Sequence, residues 1–175
     1  RGLGDVYKRQ GGMSFVDFAH LNRGNIKNGI LDYNRQKTGT SMRLEVLDTA
    51  EAMYKELAGE RAGSSGYLFP FLSGTKNGHE EYLEYNAALS RFNRNLKTLK
   101  EVAGIASDVT SYTIRHSFAM ALKEQNVPIE MISELLGHKS IKTTQIYLRS
   151  FSLEKMTVVN KSCFENVYNY MPKVG

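Results

Sequence analysis

Only one cysteine, Cys163, occurs in the 175 residues. An internal disulfide and a cysteine-built metal cluster are therefore excluded. A lone cysteine is most often a small buried hydrophobe, and Cys163 is assigned no role. No apolar run approaches the roughly 20 residues that a membrane-spanning helix needs. No signal peptide opens the chain, so the expected compartment is the reducing cytoplasm. Internal repeats, low-complexity tracts and a linker that would split the chain are also missing. Net charge is modest, with 23 basic against 18 acidic side chains and a formal balance of +5. That balance leans only slightly toward a polyanionic partner. What remains is one domain of 41% hydrophobic composition, enough for a real core.

The first ten residues read Arg1-Gly2-Leu3-Gly4-Asp5-Val6-Tyr7-Lys8-Arg9-Gln10. Asp5 to Gln10 matches the translated end of a transposon adaptor used to prepare sequencing libraries. Residues 1–10 are accordingly expected to be a non-native leader, set apart from a domain over 11–175. Without the leader the basic and acidic counts are 20 and 17, a net of +3. Charge then carries little, and motifs must carry the argument.

Met13 to Leu21 is apolar-rich with Asp17 inside it, which predicts a buried helix. Asn28-Gly29 between Ile26 and Ile30-Leu31 is a hairpin signal. A strand over Ile30 to Asn34, a polar turn over Gln36 to Thr40 and an alternating strand over Ser41 to Leu47 complete a small antiparallel sheet. Asp48 to Leu57 reads as a helix and Gly59 to Ser65 as a flexible loop. Phe69-Pro70-Phe71 and Gly74 to Gly78 are turn-rich. Glu80 to Val102 predicts a long helix, with Tyr82, Tyr85, Leu89, Phe92, Leu96 and Leu99 recurring at three or four residues. Most of the rest is helical, so the expected class is α+β, mainly helical, with the sheet near the N-terminus.

The informative stretch runs from Thr110 to Arg149. Thr110 or Ser111 caps a helix that buries Ile114, Phe118, Ala121 and Leu122. Tyr112 precedes Arg115 by three positions and His116 by four, so all three can project toward one side of that helix. Pro128 fits the first position of the next helix, whose buried face is Ile129, Ile132, Leu135 and Leu136. Gly137 fits its stop. His138 is held just past that stop. Ser140 then caps a helix carrying Thr143, Thr144, Ile146, Tyr147 and Leu148.

Two boxes stand out: Ser111-Tyr112…Arg115-His116-Ser117-Phe118-Ala119, and Leu136-Gly137-His138-Lys139-Ser140 followed by Thr143-Thr144-Gln145-Ile146-Tyr147. They resemble the Arg-His and Leu-Gly-His…Thr-Thr…Tyr boxes of the tyrosine recombinases of the phage-integrase family, in the family's order. The resemblance extends over essentially all of 11–175. Gly12-Met13-Ser14-Phe15-Val16-Asp17 is similar to the start of that family's catalytic domain, and Lys37-Thr38-Gly39 to the turn carrying its catalytic lysine. The resemblance implies a DNA strand-exchange enzyme, acting on double-stranded DNA and self-associating as a tetramer on it. Tyr147 would attack a phosphate and form a phosphotyrosine ester that a free 5′-hydroxyl reverses. Arg115 would clamp the phosphate with a planar, bidentate guanidinium. His138 would donate to the same phosphate. His116 would act as acid, base or orienting group, and Lys37 would protonate the departing 5′-oxygen. No metal or cofactor enters such a scheme, in keeping with the absence of a carboxylate/His ligand cluster. His20 and His79 belong to no box and are read as structural.

Two departures from the family's pattern matter. The family usually has histidine where Tyr112 stands, and a tyrosine cannot serve as an imidazole acid/base near neutral pH. The family's first clamp arginine would fall at Gly11, next to the leader, with Arg9 two residues out of register. The truncation is expected to have removed that arginine along with a preceding DNA-clamping domain. The segment from Lys155 to Tyr170, with Met156, Val159, Phe164, Val167 and Tyr168 apolar, is expected to dock on a neighbouring protomer; packing in cis is the alternative. Two other functions stay open: DNA relaxation like that of a type IB topoisomerase, and a non-enzymatic regulator using Ile129 to Leu148 as a helix-turn-helix.

Overall fold

The computed structural model describes residues 12–46 and 66–148. The expected helix over 48–57, the loop over 59–65, the leader, Gly11 and the 155–175 segment lie outside the described residues.

The described chain opens on a short helix, α1 (Phe15–Ala19), with Ser14 as its N-cap. It is shorter than the expected helix from Met13 to Leu21. The Leu21 carbonyl leaves the helix to accept from the Leu68 amide at 2.6 Å, although Met13 and Leu21 are both buried as expected. Strands β1 (Ile26–Lys27), β2 (Ile30–Asn34) and β3 (Ser41–Glu45) form one antiparallel sheet in that order. Asn28 and Gly29 both take positive φ, at 52° and 73°, as the tight two-residue turn between β1 and β2 requires. Leu31 faces Leu44 and Tyr33 faces Met42 across the β2–β3 ladder. Leu31, Tyr33 and Met42 are buried while Asp32, Asn34, Arg43 and Glu45 are exposed, which is the period-two pattern of a one-sided sheet. Strand β3 stops two residues before Leu47, with Val46 already turning to donate to the Gly29 carbonyl.

Helix α2 (His79–Val102) lays Ala88, Phe92 and Leu96 into the main core, with Tyr85 and Leu89 half-buried against it. Its stripe overshoots that core at both ends: Tyr82 and Leu99 are exposed, against the sequence pattern. Phe15, Phe18, Phe69, Phe71 and Phe92 form an aromatic cluster of tilted and edge-on rings with centroid spacings of 4.3 to 6.1 Å.

Helix α3 (Ser111–Glu124) starts at a capping box formed by Thr110 and Thr113. Ile114 is buried in the main core, and Ala119 joins Ile132 and Leu136 in a second cluster flanked by Phe118 and Leu122. Ala121, expected inside, is exposed because the next helix packs on the Ala119 side. That helix, α4 (Ile129–Leu135), begins one residue after Pro128, which is its N-cap. Its end is a Schellman motif. The His138 amide donates to the Ser133 carbonyl and the Gly137 amide to that of Glu134, with Gly137 at φ +61°. Helix α5 (Ile141–Tyr147) follows; Ser140 holds the N-cap position without a side-chain bond, and Leu148 lies just beyond the helix. Among the described residues no helix is long and apolar enough to cross a membrane.

Candidate active site

A cleft of about 490 Å³ is lined by the turn between β2 and β3, α3, the link that follows Gly137, and α5. Arg35, Lys37, Tyr112, Arg115, His138 and Tyr147 line it. Five of the six residues singled out from the sequence therefore share one cavity, drawn from a hairpin turn, α3, the α4–α5 link and α5. The sixth, His116, is not among the lining residues, but its ring lies 6.0 Å from that of Tyr147.

Tyr147 closes α5 with three rings around it. The Tyr112 centroid is at 5.5 Å, His138 at 5.3 Å and His116 at 6.0 Å. The side chain of Tyr112 thus stands next to that of Tyr147. Its hydrogen bond with Tyr147, and then burial, raise the pKa of Tyr112. Tyr112 thus keeps its proton as a neutral hydrogen-bonding partner of Tyr147.

Arg115 is 5% exposed. One Nη1–H donates to the Gly12 carbonyl at 2.6 Å, and Nη2 donates to the Leu136 carbonyl. These bonds join the chain just before α1, the second turn of α3 and the end of α4. Burial, followed by the neighbouring Arg35 charge, lowers the pKa of Arg115. Arginine nevertheless keeps its proton.

Nη2 of Arg115 also stands 3.3 Å from Nε2 of His138. A guanidinium can only donate, so His138 Nε2 is the acceptor and the ring proton sits on Nδ1. Nδ1 lies 2.8 Å from Oγ1 of Thr144, which is fully buried. Burial, then the charges of Arg115, Arg35 and Lys37, press the His138 pKa down to about 4. The imidazole is neutral in the free protein, in one defined tautomer. In the Thr143-Thr144 pair the two residues divide: Thr144 orients His138 from the interior and Thr143 lines the cleft.

Two residues of this site were missed in the sequence. Arg35, 6% exposed, donates from Nε to Asp17 Oδ2 at 3.1 Å and from Nη1 to the carbonyls of Leu136 and Gly137 at 3.0 and 2.9 Å. Asp17, still more deeply buried, also accepts from Ser14 Oγ and from the Gln36 amide at 2.7 Å. Asp17 was noticed only as the single acid in an apolar segment, and that was the available signal: a buried carboxylate needs a partner. Removing one member of such a buried pair typically costs about 3–5 kcal/mol.

A half-buried phenol that shares a cleft with guanidinium, ammonium and imidazole groups suits nucleophilic attack on a phosphorus centre whose oxygens gather negative charge. Residues 10–154 match the model of the phage integrase family. The chain belongs to that family.

Among curated relatives, this phage-integrase chain is 34% identical over 120 residues to the tyrosine recombinase XerC of Rickettsia prowazekii (strain Madrid E), covering 58% of this chain and 39% of that protein. It is 42% identical over 69 residues to the tyrosine recombinase XerD of Lacticaseibacillus casei, covering 39% of this chain and 24% of that one. The chain thus spans well under half the length of these two relatives. The fold is shared with the crystal structure of XerA recombinase, at a TM-score of 0.65 and 21% identity over 89% of this chain and 56% of that chain. It is also shared with XerH recombinase bound to palindromic difH substrate in a post-cleavage complex, at a TM-score of 0.66 and 20% identity over 89% and 43%. A lambda integrase tetramer bound to a Holliday junction matches at a TM-score of 0.56 and 16% identity over 85% and 43%. The mainly helical α+β class with a three-stranded antiparallel sheet, expected from the sequence, is the class of these catalytic domains.

Proposed function

We propose that this chain is the catalytic domain of a site-specific recombinase that cuts and rejoins duplex DNA by transesterification, with Tyr147 as the nucleophile. The observation that carries the reading is the convergence of Tyr147, Arg115, His138 and Lys37 on one cleft, although more than half the chain separates Lys37 from Tyr147. In this scheme Tyr147 gives up its hydroxyl proton to His116, its oxygen bonds to the phosphorus and the bond to the 5′-oxygen breaks. A 3′-phosphotyrosine is left on one strand end and a free 5′-hydroxyl on the other. Lys37 delivers the proton to the leaving 5′-oxygen. Arg115 receives the charge that builds on the non-bridging oxygens. A phosphate in the cleft competes with His138 for the Arg115 guanidinium, which frees Nε2 to be protonated and to donate to the same phosphate. Tyr112 and His116 hold the Tyr147 ring. The phosphodiester bond energy is kept in the ester, so the scheme needs no cofactor.

Duplex DNA as partner and self-association on it draw support from relatives whose structures hold DNA or a tetramer on a Holliday junction. The 155–175 segment is assigned to docking on a neighbouring protomer, and deleting it should weaken assembly on DNA more than folding.

The test is a nicked suicide DNA substrate, on which the covalent complex accumulates as a slow-migrating species. Tyr147→Phe should abolish the complex while DNA binding stays intact. An undiminished complex in that variant would remove Tyr147 from the nucleophile's place, and full activity of any kind in it would favour a DNA-binding regulator.

A further inference from the structure

A recombinase reading uses the lysine turn and the histidine loop, but it does not say what sets their separation. The two are far apart in sequence and touch the sheet and α4 respectively. One buried side chain spans them.

Arg35 sits at the base of the β2–β3 turn. Its backbone closes that turn: its amide donates to the Thr40 carbonyl at 2.9 Å, and its carbonyl accepts from the Gly39 amide at 2.8 Å. Lys37 is two residues on. On the other side, Nη1 takes the carbonyls of Leu136 and Gly137, the two residues that immediately precede His138. Asp17 anchors the base of the turn twice, through Arg35 Nε and the Gln36 amide. The fit is tight. A Cβ added at Gly137 would come within 2.4 Å of Arg35 Cδ and 2.6 Å of Met42 Sδ. The glycine of the Leu-Gly-His box therefore serves the arginine's passage as well as the helix stop.

We propose that Arg35, aligned by Asp17, is a positioning residue that holds the Lys37 turn against the His138 loop and so fixes the His138 ring between Arg115 and Thr144. The catalytic meaning of this rests on the recombinase reading; the positioning itself does not. Guanidinium geometry is required, because three acceptors on two elements are met by one planar fork. A lysine keeps the charge and cannot reach all three.

Imidazole nitrogen shifts of His138, measured on the full chain, read the positioning without any DNA. The unsubstituted chain should show a single neutral form protonated on Nδ1. In Arg35→Lys that form should mix with the Nε2-protonated one, as the loop loosens and the contacts to Arg115 and Thr144 are lost. Should Arg35→Lys fail to fold, the double variant Asp17→Asn/Arg35→Gln removes both charges together, leaves no unpaired buried ion, and should give the same mixing. A single Nδ1-protonated form in whichever variant folds overturns the proposal. On nicked DNA, Arg35→Lys should form covalent complex at least tenfold more slowly with DNA affinity within threefold, and an unchanged rate overturns the catalytic part. If neither the unsubstituted chain nor a Gly11→Arg chain without the first ten residues forms complex, the recombinase reading fails, while the nitrogen shifts still decide the positioning.

Discussion

Nη2 of Arg115 and Nε2 of His138 stand 3.3 Å apart, with the guanidinium donating to the imidazole. Two groups assigned to one phosphate are thus bonded to each other before any phosphate arrives. The pairing fixes the ring's tautomer and keeps it neutral, because a second positive charge beside Arg115, Arg35 and Lys37 is opposed by burial and by all three cations.

Acid should destabilise the fold partly through this ring. His138 titrates at about 4 in the folded protein and at its ordinary 6.5 when unfolded. Between those values the unfolded chain binds the proton and the folded one does not, so stability falls as pH drops from about 6.5 toward 4. His138→Gln should show a shallower decline across this window. Urea midpoints at both ends for the two proteins measure the difference, and equal slopes would dissociate His138 from the pH response.

Arg115→Lys should cut covalent-complex formation on nicked DNA by on the order of a hundredfold or more, the usual loss for one preorganised donor. A lysine supplies one point charge where Arg115 reaches Gly12, Leu136 and His138 together. DNA affinity should change far less than the rate. Near-normal cleavage would contradict the clamp.

Gly137→Ala should destabilise the fold by about 1–3 kcal/mol, since the new methyl group needs both a left-handed backbone and room already taken by Arg35 and Met42. Gly29 also has positive φ, yet no atom lies within 4 Å of its missing Cβ. Gly29→Ala should therefore cost less. Chemical denaturation of the two variants separates backbone strain from the clash, and equal losses would count against the packing role given to Gly137.

Position 11 is where the family resemblance expects a first clamp arginine. A chain with Gly11→Arg and without the first ten residues should form covalent complex faster than the chain as it stands, and should tolerate more salt in binding because it makes one more phosphate contact. Equal rates and salt slopes would mean that another arginine already fills the place.

The sequence alone determined the fold class, the hairpin at Asn28-Gly29, a cap at Thr110 or Ser111 (the structure places it at Thr110), the stop at Gly137 and five of the cleft's lining residues. These are local properties: turn dipeptides, caps and a period of two or three to four residues are set by backbone sterics and nearest neighbours, and the two boxes lie within one stretch of chain. Tertiary structure decided what the sequence pattern left blank or misplaced. Tyr82, Leu99 and Ala121 fit an apolar stripe but lie outside the contact area of their neighbours, because periodicity gives a face and not the extent of its partner. Arg35 looked like an ordinary charged residue and Asp17 stood out only as the lone acid of an apolar segment, since their importance comes from burial, and burial follows from how α1, the sheet and the end of α4 meet. The tautomer of His138 was likewise decided by Arg115 and Thr144 on either side of its ring, 23 and 6 residues away in sequence, a relation that only the folded packing creates.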